Sequence, residues 1–178
     1  MSQQETDATD PLIGQLVGSY SVVRKLGEGG MGDVYEVVHP GIGKRLALKV
    51  LHAEYASRSE IVKRFRAEAL AVNQIGHPNI VDILDFSALP DGRPYLLMEY
   101  LEGESLAVYL RRTGPLPVAD VAELLAPICS AVGAAHDHGI THRDLKPENI
   151  QLVPRLNNPR YVKVLDFGIA KLADAGAS

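Results

Sequence analysis

Gly27-Glu28-Gly29-Gly30-Met31-Gly32 lies between two β-rich stretches, Tyr20-Ser-Val-Val-Arg-Lys-Leu26 and Val34-Tyr-Glu-Val-Val-His39. The spacing Gly27-x-Gly29-x-x-Gly32 also marks dinucleotide-binding folds, but there the loop must open a helix. Here a second strand follows, and that context excludes the doubly wound parallel fold. The loop joins antiparallel strands instead. Lacking side chains, its backbone N–H groups can approach a phosphate closely and donate to it. A plain hairpin turn would look the same from these residues alone.

Working outward, Pro40-Gly41-Ile42-Gly43 is a second turn and Arg45 to Leu51 a third strand, which completes an antiparallel meander. Residues 58 to 75 predict a helix, because Ile61, Phe65, Ala69 and Val72 recur at three- and four-residue spacing among Lys63, Arg64, Arg66 and Glu68. Gly76-His77-Pro78 stops it. Ile80 to Phe86 and Tyr95 to Tyr100 predict two more strands around the turn Leu89-Pro-Asp-Gly92. The expected plan is a five-stranded antiparallel sheet with one main helix, ending near residue 101.

Beyond Leu101 the pattern turns helical. Ser105 to Arg112 predicts a short helix with Ser105 as its N-cap. Val118 to His138 predicts a longer one, with Leu124, Leu125, Ile128 and Val132 as its apolar face and Cys129 as a small core residue. Ile150 to Val153 and Tyr161 to Leu165 predict short strands. The fold class is α+β.

The chain has 178 residues, of which 46% are apolar and 22% charged, so disordered, fibrous and collagen-like classes are excluded. Its net charge of -4 gives no electrostatic reason to bind nucleic acid. The single cysteine, Cys129, excludes an internal disulfide framework and points to a reducing, cytoplasmic setting. Asp120, Glu123 and Pro127 interrupt the most apolar stretch, so no membrane segment is expected. Residues 1–18 read as a flexible acidic tail with Glu5, Asp7 and Asp10, leaving 19–178 as the folded part.

Three more groups carry chemistry. Lys49, in the apolar strand Ala47-Leu48-Lys49, could pair with phosphate oxygens as a point charge. Glu68, on the following helix, could face it. His142-Arg-Asp-Leu-Lys-Pro-Glu-Asn149 packs two acids, two bases, a His and an Asn into one loop, with Asp144 placed to accept a proton. Asp166-Phe167-Gly168 follows an apolar strand, and its carboxylate suits a hard cation such as Mg²⁺.

In this order the groups resemble the eukaryotic-type (Hanks-type) protein kinases. The Gly-Glu-Gly-Gly-Met-Gly loop with His77-Pro-Asn-Ile80 is most similar to the bacterial serine/threonine branch, over roughly residues 19 to 172. The resemblance implies a kinase-like fold, with an N-lobe and hinge at 19–101 and an incomplete helical C-lobe at 102–178. It implies an ATP-dependent protein serine/threonine kinase that uses Mg²⁺ and passes the γ-phosphate of ATP to Ser or Thr hydroxyls of a protein substrate. Leu26, Gly27, Glu28, Gly29, Gly30, Met31 and Gly32 would cover ATP. Val34 and Ala47 would pack on adenine, with Met98 as gatekeeper and Glu99 and Leu101 offering hinge backbone groups. Ser105 or Glu104 would reach the ribose.

By the same resemblance Lys49, paired with Glu68, would hold the α- and β-phosphates. Asp144 would accept the substrate proton, Lys146 would touch the γ-phosphate, and Asn149 and Asp166 would hold the metal. Val72, Ile83, His142 and Phe167 match a regulatory column, and Arg143 implies control by an activation-loop phosphate.

Two departures stand out. Gln151 occupies the position of an apolar adenine floor, which implies weaker ATP affinity. The sequence also stops at Ser178, before an activation loop and later C-lobe helices. That implies an alternative: a truncated, non-catalytic ATP-binding or interaction module or gene fragment, with a partner chain covering the exposed C-lobe helix.

Overall fold

The computed structural model describes residues 10–167, and of Glu68 only the backbone. Residues 1–9 of the expected tail, the Glu68 side chain, Gly168 and the last residues through Ser178 lie outside the described residues. The chain divides into two compact units. Unit 1 takes Met1–Val62 with Ile83–Tyr100, and unit 2 takes Lys63–Asp82 with Leu101–Ser178.

Unit 1 is a six-stranded antiparallel sheet in the order β1-β2-β3-β4-β6-β5. The five expected strands are β2 (Tyr20–Glu28), β3 (Gly32–Val38), β4 (Arg45–Leu51), β5 (Ile83–Ala88) and β6 (Pro94–Glu99). The sixth, β1 (Leu16–Val17), pairs with β2. It comes from the segment expected to be tail, which is therefore structured from Asp10 onward. The reason is apolar burial: Leu12 and Val17 are buried with the core, and Tyr35 Oη donates to Asp10 Oδ2 at 2.9 Å. Two or three apolar residues in an acidic stretch give no periodicity to read.

Alternation along the strands separates the two faces of this sheet. Val22, Tyr35, Val37, Leu46, Leu48, Val50, Tyr95 and Leu97 point one way and form the core. Val34, Glu36, Ala47, Lys49 and Met98 point the other way. The register fixes this, since Val34 stands opposite Lys49, Glu36 opposite Ala47, and Ala47 opposite Met98. A one-turn helix missed in the sequence, α1 (Ala53–Ala56), follows β4.

Helix α2 (Ser59–Ile75) runs from unit 1 into unit 2. The segment after it was expected to start a strand at Ile80; instead β5 begins at Ile83. Residues 77–81 lie against β9 (Asn158–Val164), with Ile80 bridging Val164 in parallel. Val164 N–H donates to Asn79 O at 2.7 Å and Val81 N–H to Val164 O at 3.1 Å. Asn79 Nδ2 donates to Val162 O and buried Lys163 Nζ to Ile80 O. These bonds tie 79–81 to β9 within unit 2, which takes in Lys63–Asp82, although the sequence boundary was expected only near 101.

The rest of unit 2 holds α3 (Leu106–Thr113), α4 (Val118–Asp137) and a small sheet in the order β7-β8-β9. Its strands are β7 (Glu104–Ser105), β8 (Ile150–Arg155) and β9. Ser105 caps α3 as expected, its Oγ accepting from Val108 N–H at 3.3 Å. Gly103 lets β7 approach β8: its φ is +124°, and a Cβ there would collide with the Leu152 carbonyl oxygen.

The buried face of α4 differs from the one expected. Leu124, Ile128, Ala131 and Ala135 are buried, but Leu125 is 49% exposed and Val132 only half-buried. Cys129 is exposed, not a core residue. The small Ala131 and Ala135 continue the Leu124–Ile128 stripe, which a search for large apolar residues overlooks. Among the described residues α4 is the one helix long and apolar enough to cross a membrane, by length and composition. Its Asp120 and Glu123 are ion-paired with Arg160 at 3.3 and 2.7 Å, as on the surface of a folded domain.

Candidate active site

The candidate residues fall into two sets, one in each unit. In unit 1 the glycine loop is shaped by its own backbone. Gly29 N–H donates to Gly32 O at 2.9 Å, and Met31 O accepts from His52 N–H at 2.9 Å. Leu26 through Gly30 are exposed, whereas Met31 and Gly32 are buried. Gly32 passes so close to β4 that a Cβ would meet the Val50 carbonyl oxygen. Ions clip the loop's flanks: Lys25 Nζ lies 2.7 Å from Glu28 Oε1 and 3.2 Å from Asp33 Oδ1. His52 Nε2 is 3.2 Å from the same Asp33 oxygen. The burial of Lys25 acts to lower its pKa, but the hydrogen bonds to Glu28 and Asp33 outweigh it and the net shift is upward.

Below the loop, Ala47, Lys49 and Met98 are buried and Val34 and Glu99 half-buried. Lys49 is 8% exposed within a strand of Leu and Val, where burying an ammonium costs free energy unless its charge is paired. The cross-strand register sets Lys49 beside Val34 and Ala47 beside Met98 on one sheet face. Glu68 lies in the unit 2 part of α2.

The same face carries a group the sequence reading missed. Glu36, 5% exposed, receives Arg45 Nε at 2.7 Å and lies 2.8 Å from an Arg24 terminal nitrogen. Burial pushes its carboxyl up, but the two guanidiniums outweigh burial and hold it below the usual carboxylate value. The signal was the alternation itself, which places Glu36 on the face of Val34.

In unit 2, the loop after α4 is cross-braced. Asn149 Nδ2 donates to Asp144 O at 2.9 Å and to Asp144 Oδ2 at 3.2 Å. Lys146 Nζ lies 2.9 Å from the same Oδ2. That hydrogen bond raises the Lys146 pKa and keeps the ammonium charged. Asn149 N–H donates to Lys146 O, and Leu165 N–H to Asn149 O at 2.8 Å, which ties the loop to the residue before Asp166. Gln151 is half-buried on β8, between Ser105 and Lys163 in register. The two ribose candidates serve within unit 2: Ser105 caps α3 and Glu104 pairs with Arg112.

Among the described residues, backbone strain falls in this loop and just after β9. Among the described residues Arg143 (φ 59°) and Asp166 (φ 50°) are the non-glycine residues at positive φ. Each costs on the order of 1–3 kcal/mol and persists only where its surroundings impose it. His142 precedes Arg143 and bonds to the residue before Asp166. Buried at 3% exposure, it donates from Nε2 to Leu165 O at 2.8 Å, and its ring lies 4.6 Å from that of Phe167. Its Nδ1 is buried with no hydrogen-bond partner among the described residues. Burial lowers the His142 pKa, so the ring stays neutral.

The chemistry of this set fits a hard cation carried with phosphates. Asn149 turns its nitrogen end to Asp144, which leaves the oxygen end for a metal, and Asp166 adds a carboxylate. Among the described residues no three His, Cys, Asp or Glu side chains converge on a metal position. Mg²⁺ needs no such cage, since it takes one or two protein oxygens and completes its shell with phosphates and water. A cavity of about 490 Å³ in unit 2, walled by Tyr109, Leu152, Pro154 and Pro159, holds none of the candidate catalytic or metal residues.

Known proteins resemble the chain in sequence and in fold. Residues 20–178 match the family model described as protein kinase domain. The chain is 55% identical over 169 residues to serine/threonine-protein kinase Pkn1 of Myxococcus xanthus, an alignment covering 95% of this chain and 24% of that protein. It is 40% identical over 160 residues to serine/threonine-protein kinase PrkC of Bacillus subtilis, covering 89% of this chain and 24% of that one. The chain thus spans about a quarter of the length of these relatives. A solved structure, the M. tuberculosis PknI kinase domain, superposes with a TM-score of 0.75 at 33% identity. That match covers 93% of this chain and 67% of the solved one.

Proposed function

Because this chain belongs to the protein kinase domain family, in its bacterial serine/threonine branch, we propose that it transfers the γ-phosphate of Mg·ATP to Ser or Thr hydroxyls of a protein substrate. The family generally uses ATP and Mg²⁺. The observation that carries the reading is the Asp144 carboxylate, braced by Asn149 and Lys146 in a loop tied to the strained Asp166.

Phosphoryl transfer asks for positioning and charge neutralisation more than covalent chemistry. The Asp144 carboxylate orients the incoming hydroxyl and accepts its proton as oxygen bonds to the γ-phosphorus and ADP leaves. Lys146 holds positive charge beside that carboxylate. Lys49 offers its ammonium to the α- and β-phosphates, with Glu68 as its proposed partner. Leu26 to Gly32 cover the nucleotide, Val34, Ala47 and Met98 line the adenine, and Glu99 and Leu101 present backbone groups to its edge. Gln151 floors the base. Asn149 and Asp166 would hold Mg²⁺, which supplies charge to the phosphate oxygens when bound. A cytoplasmic setting fits the need for ATP.

A second reading is an ATP-binding module that acts through a partner chain. It draws on α4, where Val118, Val121 and Leu125 are exposed. One experiment separates the two: calorimetric Mg·ATP binding and phosphate transfer to a generic protein substrate, in wild type and Asp144→Asn. Transfer abolished by the substitution supports the kinase. Binding without transfer supports the module, and absence of binding overturns both.

A further inference from the structure

The Glu36 cluster does not stop at the sheet. Both of its arginines reach one further side chain, Tyr100. A terminal nitrogen of Arg24 lies 3.3 Å from the Tyr100 hydroxyl. The Arg45 guanidinium lies over the Tyr100 ring, 3.9 Å from its centroid. The ladder between β4 and β6 ends where Leu46 stands opposite Glu99. From Tyr100 onward these side-chain contacts take over from the ladder. Tyr100 sits between Glu99 and Leu101, the residues whose backbone groups face the adenine edge in the reading above.

We propose that Glu36 is a positioning residue: through Arg24 and Arg45 it fixes Tyr100, and so sets the Glu99–Leu101 backbone for the purine without touching nucleotide. The inference rests on the ATP reading of this site. The physical argument is one of rigidity. An arginine over a tyrosine ring is loosely oriented when its outer side is in water, and Arg24 and Arg45 are 47% and 40% exposed. A buried carboxylate between them fixes both, because Glu36 accepts at each oxygen and is itself held in a strand. A lysine at position 45 could satisfy the charge but has no planar fork to lie on the ring.

The test separates purine reading from general stability. Dissociation constants are measured by calorimetry on the full chain for Mg·ATP and for Mg·tripolyphosphate, which has no base. Glu36→Gln, Arg45→Lys and Tyr100→Leu should each weaken Mg·ATP about three- to tenfold, the scale of a lost cation–π contact and its ordering. They should leave tripolyphosphate unchanged. Tyr100→Phe, which keeps the ring, should retain most of the affinity, and Arg93→Lys, in an ion pair elsewhere in unit 1, should change neither. Equal weakening of both ligands, or no change in Mg·ATP, overturns the proposal.

If Glu36→Gln does not fold, Arg45→Lys carries the test, since it keeps a cation beside Glu36. A second measurement needs no nucleotide: hydrogen exchange at the Tyr100 and Leu101 amides should quicken in Arg45→Lys, and unchanged exchange overturns the clamp. Failure of wild type to bind Mg·ATP sinks the ATP reading instead, and exchange then decides the clamp by itself.

Discussion

In unit 1, Val34, Ala47, Lys49 and Met98 sit in the β3–β4 and β4–β6 ladders, which run without a register shift. In unit 2, Asp144, Lys146, Asn149 and Asp166 sit on irregular backbone held by side chains. A ladder fixes a residue through bonds every residue can make, so neighbours vary and the position stays. A loop such as His142–Asn149 has no ladder and depends on particular partners: Asn149 on Asp144, His142 on Leu165. Arg143 within it and Asp166 after β9, both at positive φ, record what that dependence costs. The candidate binding face is therefore placed by pattern, and the candidate catalytic loop by individual side chains.

The largest expected effect tests the loop. Asp144→Asn should lower phosphate transfer about 10²–10⁴-fold, the usual range for loss of a general base, with Mg·ATP affinity little changed. An initial-rate assay reads this; a loss of nucleotide binding in parallel would mean the loop is not separable from the binding face.

Packing comes next. Leu48→Ala in unit 1 and Ile128→Ala in unit 2 should each cost about 2–5 kcal/mol, whereas Leu125→Ala should cost less than about 0.5 kcal/mol. Urea denaturation decides it. A large cost at Leu125 would restore the apolar face expected from sequence.

Gly103→Ala should cost about 1–3 kcal/mol, from φ and from the approach to Leu152, with the same denaturation readout. A neutral result would mean β7 can leave β8 freely. Gln151→Leu should tighten Mg·ATP about two- to fivefold by replacing an amide with an apolar floor. Unchanged or weaker binding removes Gln151 from the adenine site.

The gentlest probe is pH. The folded pKa of His142 lies below the ordinary 6.5. The unfolded chain therefore takes up a proton at this site before the folded one does. Its contribution to stability is intact above pH 6.5 and is lost as pH falls from there toward the folded pKa. His142→Asn should flatten that part of the stability profile relative to wild type, read as the urea midpoint against pH. Identical profiles would show that His142 titrates alike in both states.

Much of this was legible in the residues. Period-two alternation and glycine turns gave five strands of the sheet, and the three- and four-residue spacing gave α2. The order of Gly27–Gly32, Lys49, Asp144–Asn149 and Asp166 gave the family. The missed parts share a cause. Leu12 and Val17 are isolated apolar residues whose burial depends on β2 and Tyr35, which no local period announces. Gly76-His77-Pro78 read as a helix stop and Ile80 as the start of a strand, because Asn79 meets Val162 and Lys163 meets Ile80 only across a long loop closure. On α4, composition could not choose between two apolar stripes, since Ala131 and Ala135 fill space as usefully as leucine where a neighbour lies close.

The sequence by itself determined the order of elements, the faces of the strands and the chemical inventory of the candidate site, because these follow from side-chain period and residue type. Only the tertiary structure decided that Glu36 joins two arginines and Tyr100, that Asp144 leans on Asn149 and Lys146, and which stripe of α4 is buried. Those contacts join residues far apart in the chain, and their energies exist only once folding has brought the groups within a few ångströms.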